Sequence, residues 1–146
     1  MIRESKADDL PAILALWMES TIHAHPFIEE RYWRESESIV RDVYLPAAQT
    51  WVWEEEGELK GFASVIDDRF LGALFVAPAA IRNGIGKALV QHVQQRFSIL
   101  SLEVYQKNQS AVNFYHALGF RIEDGAWQEE THHPTWIMGW QADQTP

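Results

Sequence analysis

Two segments of this chain constrain its fold most. The first runs Val76-Ala77-Pro78 and then Arg82-Asn83-Gly84-Ile85-Gly86-Lys87-Ala88-Leu89; the second runs Asn108-Gln109-Ser110-Ala111, then Phe114-Tyr115, then Gly119-Phe120. The first reads as a strand, a glycine turn and a helix start. The second reads as a strand end, a short helix and a Gly-Phe exit into another strand. A glycine turn opening a helix gathers free backbone N–H groups, here from Asn83 to Lys87, at the positive end of the helix dipole. That arrangement suits a phosphate or pyrophosphate. It is not a Walker loop, because Ala88 follows Lys87 where Ser or Thr is needed. Nor is it a full dinucleotide fingerprint, because Leu89 stands in the third glycine position. Tyr115 supplies a proton donor on a second element. A diphosphate grip beside a placed acid points to a group-transfer enzyme with a large phosphorylated cofactor.

At 146 residues the chain fits one domain, residues 1–146, around one core. No apolar run approaches the roughly 18 residues of a membrane span, and no export leader precedes Leu10. Cysteine is absent, which removes disulfides, thiolate metal sites and a cysteine nucleophile. With no leader visible, a cytoplasmic location is expected. A formal charge of −9 argues against nucleic acid and favours a cationic partner at the encounter stage.

Hydrophobic periodicity orders the rest. Met1 to Arg3 is an edge strand. Leu10, Ile13, Leu14 and Trp17 share a helix face, so a helix runs to about Ser20, and Thr21 to Phe27 follows as a loop. A second helix spans Ile28 to Tyr44 and stops at Pro46. Thr50 to Glu54 and Lys60 to Ile66 form a hairpin. Arg69 to Val76 is a strand in which Gly72 marks a bulge. A helix after Gly86, a strand from Leu100 to Tyr105, a helix from Ser110 to Leu118 and strands from Phe120 to Asp124 and Thr135 to Trp140 complete the order, with a frayed tail from Gln141. Hairpins beside crossover units imply an α+β (mixed α/β) fold, a mixed sheet with helices on both faces.

On these segments the chain resembles the GNAT-superfamily N-acetyltransferases, and within them the small single-domain bacterial enzymes of the YiaC type. The resemblance covers nearly the whole chain in element order and is sharpest from Phe70 to Phe120. It implies the acyl-CoA N-acyltransferase fold, with a mostly antiparallel central sheet, and acetyl-CoA as cosubstrate without a metal. The family's loop pattern is Arg/Gln-x-x-Gly-x-Gly/Ala. Gly84 and Gly86 take the glycine positions, Ile81 stands where Arg or Gln is usual, and Arg82 lies one place along. The resemblance assigns pyrophosphate contacts to Arg82, Asn83, Gly84, Ile85, Gly86 and Lys87, and a pantetheine contact to Asn108. It makes Tyr115 the general acid beside the cofactor sulfur. Splayed amides of the Phe75-Val76 strand would bind the thioester carbonyl. Glu103, five residues before Asn108, matches the base proposed in the ribosomal-protein N-terminal acetyltransferases. In the histone-type enzymes the base lies on the preceding strand. Here that slot holds Phe70, which shapes the acceptor cleft instead.

Other residues bear on the acceptor. His23-x-His25 and His132-His133 hint at a metal, but a third ligand with suitable spacing is missing. His25 and Phe27 fit the acceptor mouth. Trp127 and Trp136, flanking the last hairpin with Glu129 and Glu130, offer aromatic walls and acidic groups that suit an alkylammonium. The expected reaction is acetyl transfer to a primary amine by direct attack in a ternary complex, with a protein lysine as acceptor. A small-molecule amine, or a degenerate acyl-CoA-binding module, are the alternatives. Either a monomer or a homodimer fits the exposed aromatics.

Overall fold

The computed structural model describes residues 1–142, and the part of the tail beyond Ala142 lies outside the described residues. Seven strands form one sheet in the order β1-β2-β3-β4-β5-β7-β6. They are β1 (Ile2–Glu4), β2 (Ala48–Glu55), β3 (Glu58–Ile66), β4 (Phe70–Val76), β5 (Ile99–Tyr105), β6 (Arg121–Gln128) and β7 (His133–Gln141). Every neighbouring pair is antiparallel except β4 and β5. Among the described residues no helix is long and apolar enough to cross a membrane.

Strand alternation divides the core between two sheet faces. Val52, Phe62, Ala73, Phe75 and Tyr105 face α1 (Leu10–Ala24) and α2 (Glu30–Ile39), and pack with Leu16, Trp17 and Trp33. Trp51, Ala63, Val65, Leu100, Leu102 and Met138 face α4 (Ile85–Gln94) and α5 (Gln109–Ala117), and pack with Leu89, Val93 and Val112. Each buried aliphatic side chain contributes about 1.5–3 kcal/mol of transfer free energy, so both faces hold their helices firmly.

The structure departs from the sequence reading in two helices. α1 continues through Thr21 to Ala24, where a loop was expected. Tertiary contacts extend it: Ser20 Oγ donates to the Val76 carbonyl (3.1 Å), and His25 Nδ1 meets the Thr21 carbonyl (2.7 Å) at the helix end. α2 does not stop before Pro46. It widens into a π turn, Val40–Tyr44, and closes with a last turn, α3 (Leu45–Ala47). The Leu45 N–H reaches back five residues to the Val40 carbonyl. A wider turn relieves the clash that a proline ring makes with a regular helix. The last strand also runs one residue further than expected, with Gln141 paired to Ile99.

Candidate active site

The sheet is open at its middle. β4 and β5 share one registered pair, Phe70 with Ser101, and no further pair joins them towards Val76 and Tyr105. The Ala77 N–H donates to Lys60 on β3 (2.8 Å). Antiparallel alternation then turns the Phe75 N–H to β3 and leaves those of Leu74 and Val76 facing the opening. Sequence reasoning named Phe75 and Val76 for this edge. The geometry offers Leu74 and Val76, while the Phe75 ring packs on Phe62.

On the α4–α5 side of the opening lies the glycine turn. Gly84 is the N-cap of α4 with φ +80°, in the left-handed region that favours glycine. A Cβ built there meets nothing within 4 Å, so its outer side is free for a ligand. The first helical bond to close is Ala88 N–H to the Gly84 carbonyl (3.0 Å). The amides of Ile85, Gly86 and Lys87 therefore have no intrahelical acceptor, and no side chain caps them. Arg82 also has positive φ (76°), and Arg82, Asn83 and Lys87 are exposed around the turn. This cradle fits the diphosphate of a coenzyme A ester. Gly86 lets α5 come close: a Cβ there would lie 3.3 Å from the Phe114 ring.

α5 begins at Asn108, whose Oδ1 accepts from the Ala111 N–H (3.3 Å) as an N-cap. In its last turn, Tyr115 stacks edge-on between Phe114 (5.2 Å) and Phe120 (5.6 Å). Burial pushes its phenol up, so the hydroxyl holds its proton across the neutral range.

The other side of the sheet carries a cavity of about 180 Å³, lined by Tyr44, Phe70, Gly72, Glu103, Tyr105, Gln128 and Thr135. Glu103 and Thr135 are same-face diagonal neighbours across the β5–β7 ladder. Thr135 Oγ1 donates to Glu103 Oε2 at 2.6 Å. Burial, and then the Glu103 carboxylate, push the Tyr44 phenol up. Burial does the same at Tyr105, with Glu103 and Glu130 adding and a hydrogen bond from Thr131 opposing.

The β6–β7 turn closes the cavity's rim against α2 and the preceding loop. Tyr32 donates to Glu130 (3.1 Å); burial, with Glu130, raises its phenol to about 12. His133 Nε2 meets the Phe27 carbonyl (3.2 Å).

The sequence-named acceptor residues separate. Phe70 lines the cavity. Phe27 sits at the rim against His25, Tyr105 and His133, with the Lys107 ammonium 5.9 Å from its ring. His25 is buried beside Trp33 (5.1 Å) and Tyr105 (5.3 Å), and desolvation pushes its pKa down. It acts as a neutral plug between α1 and the rim. Trp136 packs, half-buried, against the α4–α5 core, on the opposite face from the cavity. Trp127 pairs with Pro134, which puts it on that same face, where it is exposed. Neither tryptophan reaches the cavity. Sequence reading missed Thr135, Tyr44 and Tyr105. The alternation Thr135-x-Ile137, set opposite Glu103, was the available signal for the first. Among the described residues no three His, Asp or Glu side chains form a metal-sized group.

A family model described as an acetyltransferase (GNAT) domain matches residues 23–141. The chain is 62% identical over 145 residues to the peptidyl-lysine N-acetyltransferase YiaC of Escherichia coli K12, covering 99% of each. It is 31% identical over 121 residues to the peptidyl-lysine N-acetyltransferase YjaB of the same strain, covering 83% of this chain and 82% of that one. The solution structure of apo YjaB from Escherichia coli superposes with a TM-score of 0.83 over 98% of each chain, at 27% identity. Sheet order, the opening between β4 and β5, the glycine turn and these relatives converge: the chain belongs to the GNAT family and is an acetyl-CoA-dependent N-acetyltransferase.

Proposed function

We propose that the protein transfers acetyl from acetyl-CoA to the ε-amine of a protein lysine, by direct attack in a ternary complex. The observation that carries this reading is the aromatic-walled cavity with a fixed carboxylate, Glu103, opening on the face away from the glycine turn. The 62% identity to a peptidyl-lysine N-acetyltransferase supports the acceptor class. A formal charge of −9 favours a cationic acceptor and repels nucleic acid.

The amides of Ile85 to Lys87 hold the diphosphate of the donor, with Arg82 and Asn83 at the turn. Asn108 keeps its amide nitrogen for the donor's arm, since only Oδ1 is used in capping. The free N–H groups of Leu74 and Val76 polarise the thioester carbonyl and stabilise the oxyanion. A lysine amine has a pKa of about 10.4, and freeing it at neutral pH costs about 4–5 kcal/mol. Glu103 accepts that proton, and Thr135 holds the carboxylate in one orientation while it does so. The nitrogen forms the amide bond as the carbon–sulfur bond breaks. Tyr115 gives its proton to the departing thiolate and is reprotonated by the second proton that the nitrogen sheds as the neutral amide forms. The absence of cysteine fits this direct path.

The test is calorimetric titration with acetyl-CoA, followed by thiol release with lysine-containing peptides. Binding with release on lysine peptides, and none on matched peptides lacking lysine, supports the reading. Binding without release on any peptide overturns it.

A further inference from the structure

Gly72 sits at a break in the β3–β4 register. Pairing passes from Ser64 with Ala73 to Val65 with Leu71, so Gly72 is the bulged residue. The space its missing side chain leaves is filled. A Cβ built there would lie 2.7 Å from the Tyr44 hydroxyl, 2.8 Å from Cε1 and 3.2 Å from Cζ. Any larger residue at 72 would displace the Tyr44 ring. That ring arrives from the π turn Val40–Tyr44, the one place where α2 departs from regular helix. Two local irregularities, on separate elements, therefore meet at one contact in the wall of the cavity.

Each of the other polar side chains there already takes part in one hydrogen bond. Thr135 donates to Glu103 Oε2, the Tyr105 hydroxyl accepts from Thr131, and Gln128 Oε1 accepts from the Thr131 N–H. Glu103 Oε1 and the Tyr44 hydroxyl have no partner among the described residues. An ammonium carries several donors and needs more than one acceptor when it leaves water. We infer that Tyr44, seated on Gly72, is a specificity-determining residue of the acceptor site. Its hydroxyl shares the incoming ammonium with Glu103, and its ring narrows the cavity to an unbranched alkyl chain. A lysine ε-amine follows an unbranched chain of methylenes. A chain-terminal α-amine is attached to a branched carbon, which the ring rejects. This inference rests on the lysine acceptor reading above.

The experiment is steady-state kinetics on two peptides of matched sequence. One is N-terminally blocked with a single lysine; the other has a free N-terminus and no lysine. Tyr44→Phe should raise KM for the lysine peptide about tenfold, since it removes a hydrogen bond to a charged group, with a smaller change in kcat. Tyr44→Ala should do the same and also erode the preference for lysine over the α-amine. Gly72→Ala should reproduce Tyr44→Ala, and the double variant should be no worse than Tyr44→Ala alone, because both changes abolish one contact. Acetyl-CoA affinity and urea midpoints check that each variant is folded. Should Gly72→Ala fail to fold, the two Tyr44 variants still decide. Unchanged KM and unchanged peptide preference in both would overturn the inference. A wild-type enzyme that turns over neither peptide would instead overturn the lysine reading itself, and this inference with it.

Discussion

In the proposed reaction Glu103 takes a proton from the amine and Tyr115 gives one to the thiolate, and each side chain is held by different neighbours. At Tyr115 the neighbours are Phe114 and Phe120, and burial keeps the phenol protonated. Tyr115→Phe preserves those ring contacts and removes only the donor. It should lower kcat about a hundredfold while acetyl-CoA affinity stays within about twofold; single-turnover thiol release and calorimetry together check this. Equal kcat would remove Tyr115 as the acid. At Glu103 the neighbour is Thr135, at 2.6 Å. Thr135→Val keeps the shape of the side chain and lets the carboxylate swing. It should lower kcat about tenfold, in the range of a hydrogen bond to a charged group. A kcat equal to wild type would leave Thr135 with a packing role alone.

At the scale of elements, the start of α4 is where local backbone and ligand chemistry coincide. Gly84→Ala has room for its methyl group but must hold φ +80°. It should cost about 1–2 kcal/mol in urea unfolding and weaken acetyl-CoA several-fold. Loss of stability with full affinity would show that the turn serves the helix only. This part of the site was legible in the sequence because it is contiguous: the glycines, the helix start and the free amides fall within six residues. The succession of strands and helices along the chain was legible for a similar reason, since hairpins and crossovers leave their turn residues between apolar runs. What the sequence hid depends on register and on pairing at a distance. The reach of Thr135 to Glu103 needs the β5–β7 register, which the alternation Thr135-x-Ile137 does not fix by itself. Gly72 was readable as a bulge, but its occupant was not, because Tyr44 reaches it from a helix distant in the chain and no local pattern brings the two together. Trp136 looked like a cleft wall by proximity to the last hairpin. Strand alternation packs it against the α4–α5 core instead.

At the scale of the whole molecule, acid should act in two stages. His25 is held neutral by burial, with its folded pKa below the unfolded 6.5. The unfolded chain then binds the extra proton first, so this contribution is complete above 6.5 and declines as pH falls below it. His92 is shifted the same way, by burial and by Arg96. Asp9 lies at the opposite end of the scale. Its hydrogen bonds to Arg3 lower it from 3.8 to about 2, so its contribution holds above 3.8 and fades as pH falls towards 2. The urea midpoint should therefore drop between about pH 7.5 and about pH 5.5, and His25→Gln should flatten part of that drop. A midpoint level across that range would show that His25 protonates without loss. The opening between β4 and β5 has a wider consequence. Cradle and cavity lie on opposite faces of one sheet, so on the proposed reading donor and acceptor approach the reacting carbon from different compartments of solvent. Neither product needs to leave before the other. Coenzyme A should then inhibit competitively against acetyl-CoA yet leave the acceptor's own site vacant, giving noncompetitive patterns against peptide. A large folded substrate protein could stay docked through the exchange of spent donor for fresh, so that one encounter modifies several neighbouring lysines.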